Sequence, residues 1–558
     1  MRRTDLVQVL LLPATIAALF ALAACDGDSG EPPGSDPDRI QGGRLTVQGV
    51  EFSSLDPHFS SFVEDISLQR MLWRGLYLLD ASNQPQPMMA AAQPEISADG
   101  TTYTVHLKPG LQWSDGDDLL AEDFAQGIKR TCNPDVAGEY EYVLDVSVAG
   151  CADHYNNEAG FDQALEDAIG VTAVDATTLA ITLNQPQPTF TTVLALWMTF
   201  PMPVHLMPET GAEWPSDPAR LAYNGPYTLR EYAPQDHVTL VPNLNWAGDI
   251  DPTLDELVIR FIDDTAAANR AYRTGELDAS QADQTQLATL EREFESTAEY
   301  VTTSAPVTDA LVMQLGRPPL DQLDVRLALA RAIDRETLNT VVAGGGNEPT
   351  TTWLPPATGG PPPDAFADTI GFDPLLAREH LAAAGFENGE NFPTLGILIS
   401  DDPVQQATAE FMQAAFKEIL NIDTEIEVAD EQTGPQRIGE GDFDLWLGGW
   451  AQDYPDPENW LLGQFDTGGS LNSYGCSDAE IDDLITTAQF NTNNAQRIGK
   501  YLSANQLVVT RVCGVAPYWH ASNHALVKPH VAGMRENSTG QDAILPGDWF
   551  AEAWGRSE

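Results

Sequence analysis

Lysine is scarce in this chain. Its 558 residues include only Lys108, Lys129, Lys417, Lys500 and Lys528. Lys and Arg together number 28 against 83 Asp and Glu, a formal net charge of −55. Such a surface repels phosphates, which excludes nucleic acid as a partner. It also argues against anionic ligands gathered by long-range steering. Self-repulsion this large is tolerable where salt shortens the screening length to about 3 Å, as at 1 M. A halophilic or haloalkaliphilic host is therefore expected, the alternative being a mesophile with an unusually acidic exported protein. Cysteine is also rare, with five in all and no C-x-x-C spacing, so no metal site is expected. The chain lacks G-x-S-x-G, H-E-x-x-H and any credible nucleophile–histidine pairing. An exported hydrolase is thus the weaker, different-class reading, and neither an enzyme nor a cofactor is expected. No internal repeat is visible. Beyond the N-terminus, no apolar run approaches membrane-spanning length.

The N-terminus carries what the rest lacks. Arg2-Arg3 precede an apolar stretch from Leu6 to Ala23, and Leu22-Ala23-Ala24-Cys25 then reads as a lipobox. Residues 1–24 are read as a lipoprotein signal peptide rather than a span, because Asp26-Gly27-Asp28 ends the run abruptly. Cleavage before Cys25 leaves that thiol for diacylglycerol attachment. An ordinary signal with an incidental cysteine is the bland alternative. Residues 25–42, rich in Asp, Gly, Ser and Pro, have the composition of a flexible tether. The protein is then exported and lipid-anchored to the outer face of the cytoplasmic membrane. Export permits disulfides among Cys132, Cys151, Cys476 and Cys513. Sequence order suggests Cys132–Cys151 and Cys476–Cys513, with three pairings formally open. Asn537-Ser538-Thr539 is a bare glycosylation sequon without context.

Length predicts two or three domains. Tyr103 to Leu107 alternates as a half-buried strand. Asp373 can cap a helix with Pro374 at its first position, and Gly385 can end it. A strand near Leu395–Ile399, a helix near Val404–Leu420 and a strand with Ile422, Thr424, Ile426 and Val428 on one face follow. That order argues for an α/β domain. The next segment, Asp442 to Pro457, is the most informative. It begins as an aromatic, apolar strand and passes through Gly448-Gly449, where missing side chains let another backbone come close. It ends in Trp450, the acid Asp453 and a Pro-rich turn. Backbone, aromatic wall and carboxylate in that order suit a peptide amine. The bland reading is a plain α/β domain in which Asp453 caps a turn.

This segment resembles the GGW-x-x-DYPDP signature of the peptide-binding lipoproteins and periplasmic proteins that feed ABC importers, family 5 of the extracellular solute-binding proteins. Further matches run in order. Ser54-Leu55-Asp56-Pro57-His58 comes first, then Gly110 to Gly116 with Ala121-Glu122-Asp123-Phe124, and Asn224-Gly225-Pro226-Tyr227. Asn243 to Asp278 and Val325 to Arg335 complete the set. The family's "AeSW" element is not clear at Ala92-Gln93-Pro94.

The resemblance implies a two-lobed type II periplasmic-binding-protein fold, α/β, with an additional domain and a hinge between lobes. Lobe I comprises 43–83, 222–303 and 525–558, the extra domain II 84–221, and lobe III 304–524. A monomer is implied that captures short peptides between lobes and delivers them to ABC permease subunits. Relatives on this fold also bind nickel chelates, haem or oligosaccharides, and receptor or chaperone roles exist. By the resemblance, Asp453 pairs with the peptide α-ammonium. Gly449 and Ala451 offer backbone groups, as in β-strand addition, and Trp450 walls a side-chain pocket. Phe62 and Val63 contact ligand from the opposite lobe, and Ser304 to Thr308 line the cleft. Leu447 stands where some relatives carry an arginine for the ligand carboxylate. His520 and His524, four apart, would suggest a metal pair on a helix, but Tyr518-Trp519-His520 looks like a strand end in the family.

Overall fold

Local chemistry sets several elements where the sequence predicts them. In this computed structural model, residues 39–80, 83–207, 221–430, 433–534 and 545–557 are described. The signal segment, Cys25, most of the tether and Asn537 to Thr539 lie outside the described residues. The Asp373 carboxylate accepts from the amides of Leu375 and Leu376, both at 3.0 Å, and Pro374 opens the helix Pro374–Ala383. Gly385 follows at φ +94°, a conformation that ends a helix and favours glycine. The next strand, helix and strand are Leu395–Ser400, Pro403–Ala415 and Thr424–Ala429, the helix continuing as a π turn over Phe416–Leu420. Val428, on the face of Thr424 and Ile426 by alternation, is 56% exposed. Thr424–Ala429 is an edge strand, paired on one side only among the described residues, and its two ends, Thr424 and Ala429, are the buried positions.

One sheet of eleven strands runs through the molecule. Ten lie side by side. From that edge they are Thr424–Ala429, Leu395–Ser400, Leu445–Ala451, Tyr300–Met313 and Val515–Val527. Ala279–Gln281, Arg44–Gly49, Glu256–Phe261, His237–Pro242 and Tyr227–Ala233 complete the row. The short strand Glu348–Pro349 also pairs with Val515–Val527. The two longest strands, Tyr300–Met313 and Val515–Val527, pair antiparallel at the centre, with an irregularity between Ser304 and Thr308. Each passes from one hydrophobic core to another. Ala525 and Val527 sit in a core with Leu45, Trp73 and Trp554, whereas Ala516 and Trp519 sit in a second with Leu311, Ile397 and Leu445. Two cores joined by two adjacent strands make a two-lobed α/β molecule.

A separate four-stranded antiparallel sheet packs onto the first core, in the order Glu95–Ile96, Thr102–His106, Thr178–Thr182, Val171–Asp175. The predicted strand at Tyr103 is here, with Tyr103 and Val105 buried. Ordered motifs of the sequence turn out to hold this architecture together. Arg130 grips Asp56 with two bonds of 2.9 and 2.8 Å. Asp123 accepts from the amides of Leu120 and Val204 and from the Trp113 indole. Arg335 reaches the carbonyls of Pro517 and Ile370. Gly225 lies so close to the Leu72 carbonyl carbon that a Cβ would approach it to 2.5 Å. The disulfides are Cys132–Cys151 and Cys476–Cys513, the pairing that sequence order suggests. Among the described residues, no helix is long and apolar enough to cross a membrane.

Candidate functional site

The Gly-Gly-Trp segment forms the strand Leu445–Ala451, paired along its whole length with Tyr300–Met313. A Cβ on Gly449 would come within 2.0 Å of the Thr308 carbonyl, so the backbone that approaches this glycine belongs to the neighbouring strand. The amide of Gln452 donates to Pro306 O at 2.9 Å, and Gln314 N donates to Asp444 O at 2.9 Å. Backbone groups alternate sides along a strand, so Gly448 and Trp450 face Tyr300–Met313. Gly449 and Ala451 then point their N–H and C=O groups to the opposite edge. There the registered pairing with Leu395–Ser400 covers only Leu445 and Trp446. The edge beyond Trp446 has no paired strand among the described residues.

Beyond Ala451 the chain turns into Asp453. Asp456 caps the short helix Pro457–Leu461 and ties the turn down. Asn459 then folds back. Its side chain accepts from the Asp453 amide at 2.9 Å and from the Trp450 indole at 3.1 Å, and donates to Asp453 Oδ2 at 2.7 Å. Two hydroxyls complete the shell of Asp453: Tyr140 donates to Oδ1 at 2.9 Å and Tyr142 to Oδ2 at 2.6 Å. Burial pushes the Asp453 carboxyl up, and its hydrogen bonds only partly offset this. All three donors to this carboxylate are neutral. Two carboxylate oxygens offer about four acceptor positions, so the shell is one short.

Tyr140 and Tyr142 come from the added domain, within the loop closed by Cys132–Cys151. Closing a loop of this size stabilises by about 3 kcal/mol on the chain-entropy model, which lowers the cost of presenting both hydroxyls. The Tyr140 ring packs edge-on against Trp197, centroids 4.7 Å apart, and the Trp197 indole donates to Ser60 O at 3.0 Å. Phe62 and Val63 follow that carbonyl by two and three residues. Phe62 is 58% exposed and precedes the helix Val63–Leu72. Tyr454 packs into the first core although its chain neighbours belong to the second.

A cavity of about 100 Å³ lies beside this assembly, walled by Trp450, Tyr142, Phe490 and Leu471, with Glu458 and Asn459. Trp450 borders this cavity. Leu447 is buried in the second core. Thr308 does not line a cleft: it is buried, donating to Trp353 O and bonded to His520 Nδ1. His520 and His524 do not converge on one point. His520 is held by Thr308 and Thr350, and burial drives it down to about 3. His524 is held by Tyr300 and Gly346 O. Tyr140, Tyr142, Asn459 and Glu458 escaped the sequence reading. Asn459 carried a local signal, lying six residues after Asp453. The tyrosines carried only their position inside a closed loop.

The profile of the bacterial extracellular solute-binding proteins, family 5 (middle), matches residues 84–472. The chain is 27% identical over 486 residues to the probable deoxycholate-binding periplasmic protein YgiS of Escherichia coli (strain K12), covering 86% of this chain and 88% of that one. It is 26% identical over 504 residues to the periplasmic oligopeptide-binding protein OppA of the same organism, covering 89% of each. Its fold matches the Escherichia coli murein tripeptide binding protein MppA with a TM-score of 0.75 at 24% identity, over 93% of this chain and 100% of that one. Two cores joined by paired central strands, with a third layer on the first, are the type II periplasmic-binding-protein fold with its additional domain. The family's members bind solutes for transport and are not enzymes, and this chain belongs to the bacterial extracellular solute-binding proteins, family 5.

Proposed function

We propose that the protein captures short peptides between its lobes, with Asp453 receiving the α-ammonium. The observation that carries this reading is a half-buried carboxylate with three neutral hydrogen-bond donors and no cation bonded to it among the described residues. An ammonium supplies the missing charge and forms the stronger, charge-assisted bonds. The open edge at Gly449 and Ala451 takes the peptide main chain, which makes binding tolerant of side-chain sequence. Trp450 borders the side-chain pocket, and Phe62 and Val63 contribute from the other lobe. We assign 43–83, 222–303 and 525–558 to lobe I, 84–221 to domain II and 304–524 to lobe III, with the two central strands as hinge. Delivery is to an ABC permease. That OppA and MppA are named for peptide ligands supports this reading, and the name of YgiS supplies the competing ligand.

Asp453→Asn should weaken binding of a tripeptide by about 1.5–3 kcal/mol, the scale of a hydrogen bond to a charged group. Titration calorimetry in high salt reads this; unchanged affinity would remove Asp453 from the site. Deoxycholate binding with no peptide binding would overturn the ligand. We propose also that Cys25 carries a lipid anchor, so Cys25→Ser should move the protein from membrane to soluble fractions; a variant still sedimenting with membranes would refute it. Finally, the −55 charge supports a high-salt habitat. The melting temperature should rise with NaCl up to molar concentration, and a flat response would contradict that.

A further inference from the structure

The cavity beside Asp453 holds a second acid that the proposed amine contact does not use. Glu458 lines it and is 1% exposed. Three hydroxyls hold its carboxylate: Thr189 at 3.1 Å and Tyr454 at 3.3 Å on Oε1, and Tyr501 at 3.0 Å on Oε2. The nearest guanidinium, Arg497, is engaged bidentately by Asp456, at 2.7 and 2.5 Å. Glu458 thus resembles Asp453 in having neutral partners and one acceptor position spare. A second orphan lies nearby. The side-chain carbonyl of Gln187, two residues before Thr189, lines the same cavity and is buried without a hydrogen-bond partner. Aromatic rings of Trp450, Tyr142 and Phe490 make up much of the wall, and among the described residues no Lys, Arg or His lines it. Unsatisfied acceptors, aromatic walls and no resident base form a receptor for a cation.

We propose that this cavity selects peptides whose first side chain is basic, with Glu458 and Gln187 taking the cationic head and the aromatic rings its stem. The proposal rests on the peptide reading above: Asp453 holds the α-ammonium and Glu458 the side-chain charge. The groups facing Glu458 are Asp456, Arg497, Tyr454, Tyr501 and Thr189. Burial, then the neighbouring Asp456, lifts its carboxyl to about 7. Selection for a cation therefore strengthens as pH rises through neutrality and Glu458 ionises.

The test compares Lys-Ala-Ala with norleucine-Ala-Ala, which has the same stem without the charge, by calorimetry on the full mature chain in high salt. The lysine peptide should bind about tenfold tighter at pH 8, a difference of about 1.4 kcal/mol, with a smaller ratio at pH 6. Glu458→Gln keeps the shape, with one neighbouring hydroxyl accepting from the new NH2 instead of donating, and should bring the ratio to about one while norleucine-Ala-Ala still binds. Ala-Lys-Ala should gain nothing from its charge. A wild-type ratio near one, or a ratio untouched by Glu458→Gln, overturns the cation pocket and leaves the peptide reading standing. If neither tripeptide binds, both readings fall.

Discussion

Two acids in this protein, one buried and one half-buried, have opposite surroundings. Asp56 sits at the junction of the first lobe and the added domain, clamped by Arg130 and beside His58. Burial pushes its carboxyl upward, but the His58 hydrogen bond and the Arg130 charge overcome this and hold it below the ordinary aspartate value. Asp453, where the added domain meets the second lobe, has two tyrosines and an asparagine instead, and burial wins. Asp56 carries its cation within the fold. Under the proposed function Asp453, held by neutral groups, takes its cation from the ligand. Asp456 follows the first pattern through Arg497, and Glu458, two residues on, follows the second.

The comparison can be broken most sharply at Asp56. Arg130→Met leaves a buried carboxylate without its partner and should cost about 3–5 kcal/mol of stability, read by denaturant unfolding in high salt. Peptide affinity of the remaining folded protein should hardly change. A loss under about 1 kcal/mol would mean that this pair resembles an exposed one and contributes little. The smaller test lies at Asp453 without ligand. Its folded carboxyl binds a proton more tightly than the unfolded one, so the unliganded protein loses stability as pH rises above the ordinary value of 3.8. Asn cannot ionise. Unliganded Asp453→Asn should therefore melt at the same or a higher temperature than wild type at pH 7, with the gap closing toward pH 4. Asp56 has the opposite sign: its stabilisation is present above 3.8 and lost as pH falls through its depressed value. A variant that melts lower at every pH would show that the bonds from Tyr140, Tyr142 and Asn459 outweigh the cost of burying the charge, and that Asp453 is structural.

The sequence by itself determined what depends on near neighbours. Asp373, Pro374 and Gly385 mark a helix because caps act within a few residues. The Gly448-Gly449-Trp450 strand was readable because glycine permits close backbone approach wherever it stands, and the structure brings Thr308 there. Cysteine order suggested pairs of short separation, 19 and 37 residues. The acid at 453 was visible as a residue, and its surroundings were not. Tyr140 and Tyr142 lie 313 and 311 residues away and reach it only because the added domain folds back on the second lobe. Alternation put Val428 on one face with Thr424 and Ile426, but its exposure was not legible, because sheet order places its strand at an edge. Whether Glu458 is charged was likewise undecided until Thr189, Tyr501 and Arg497 converged on it from elsewhere in the chain. Desolvation and through-space charge depend on what surrounds a group in three dimensions, and only the tertiary structure decides that.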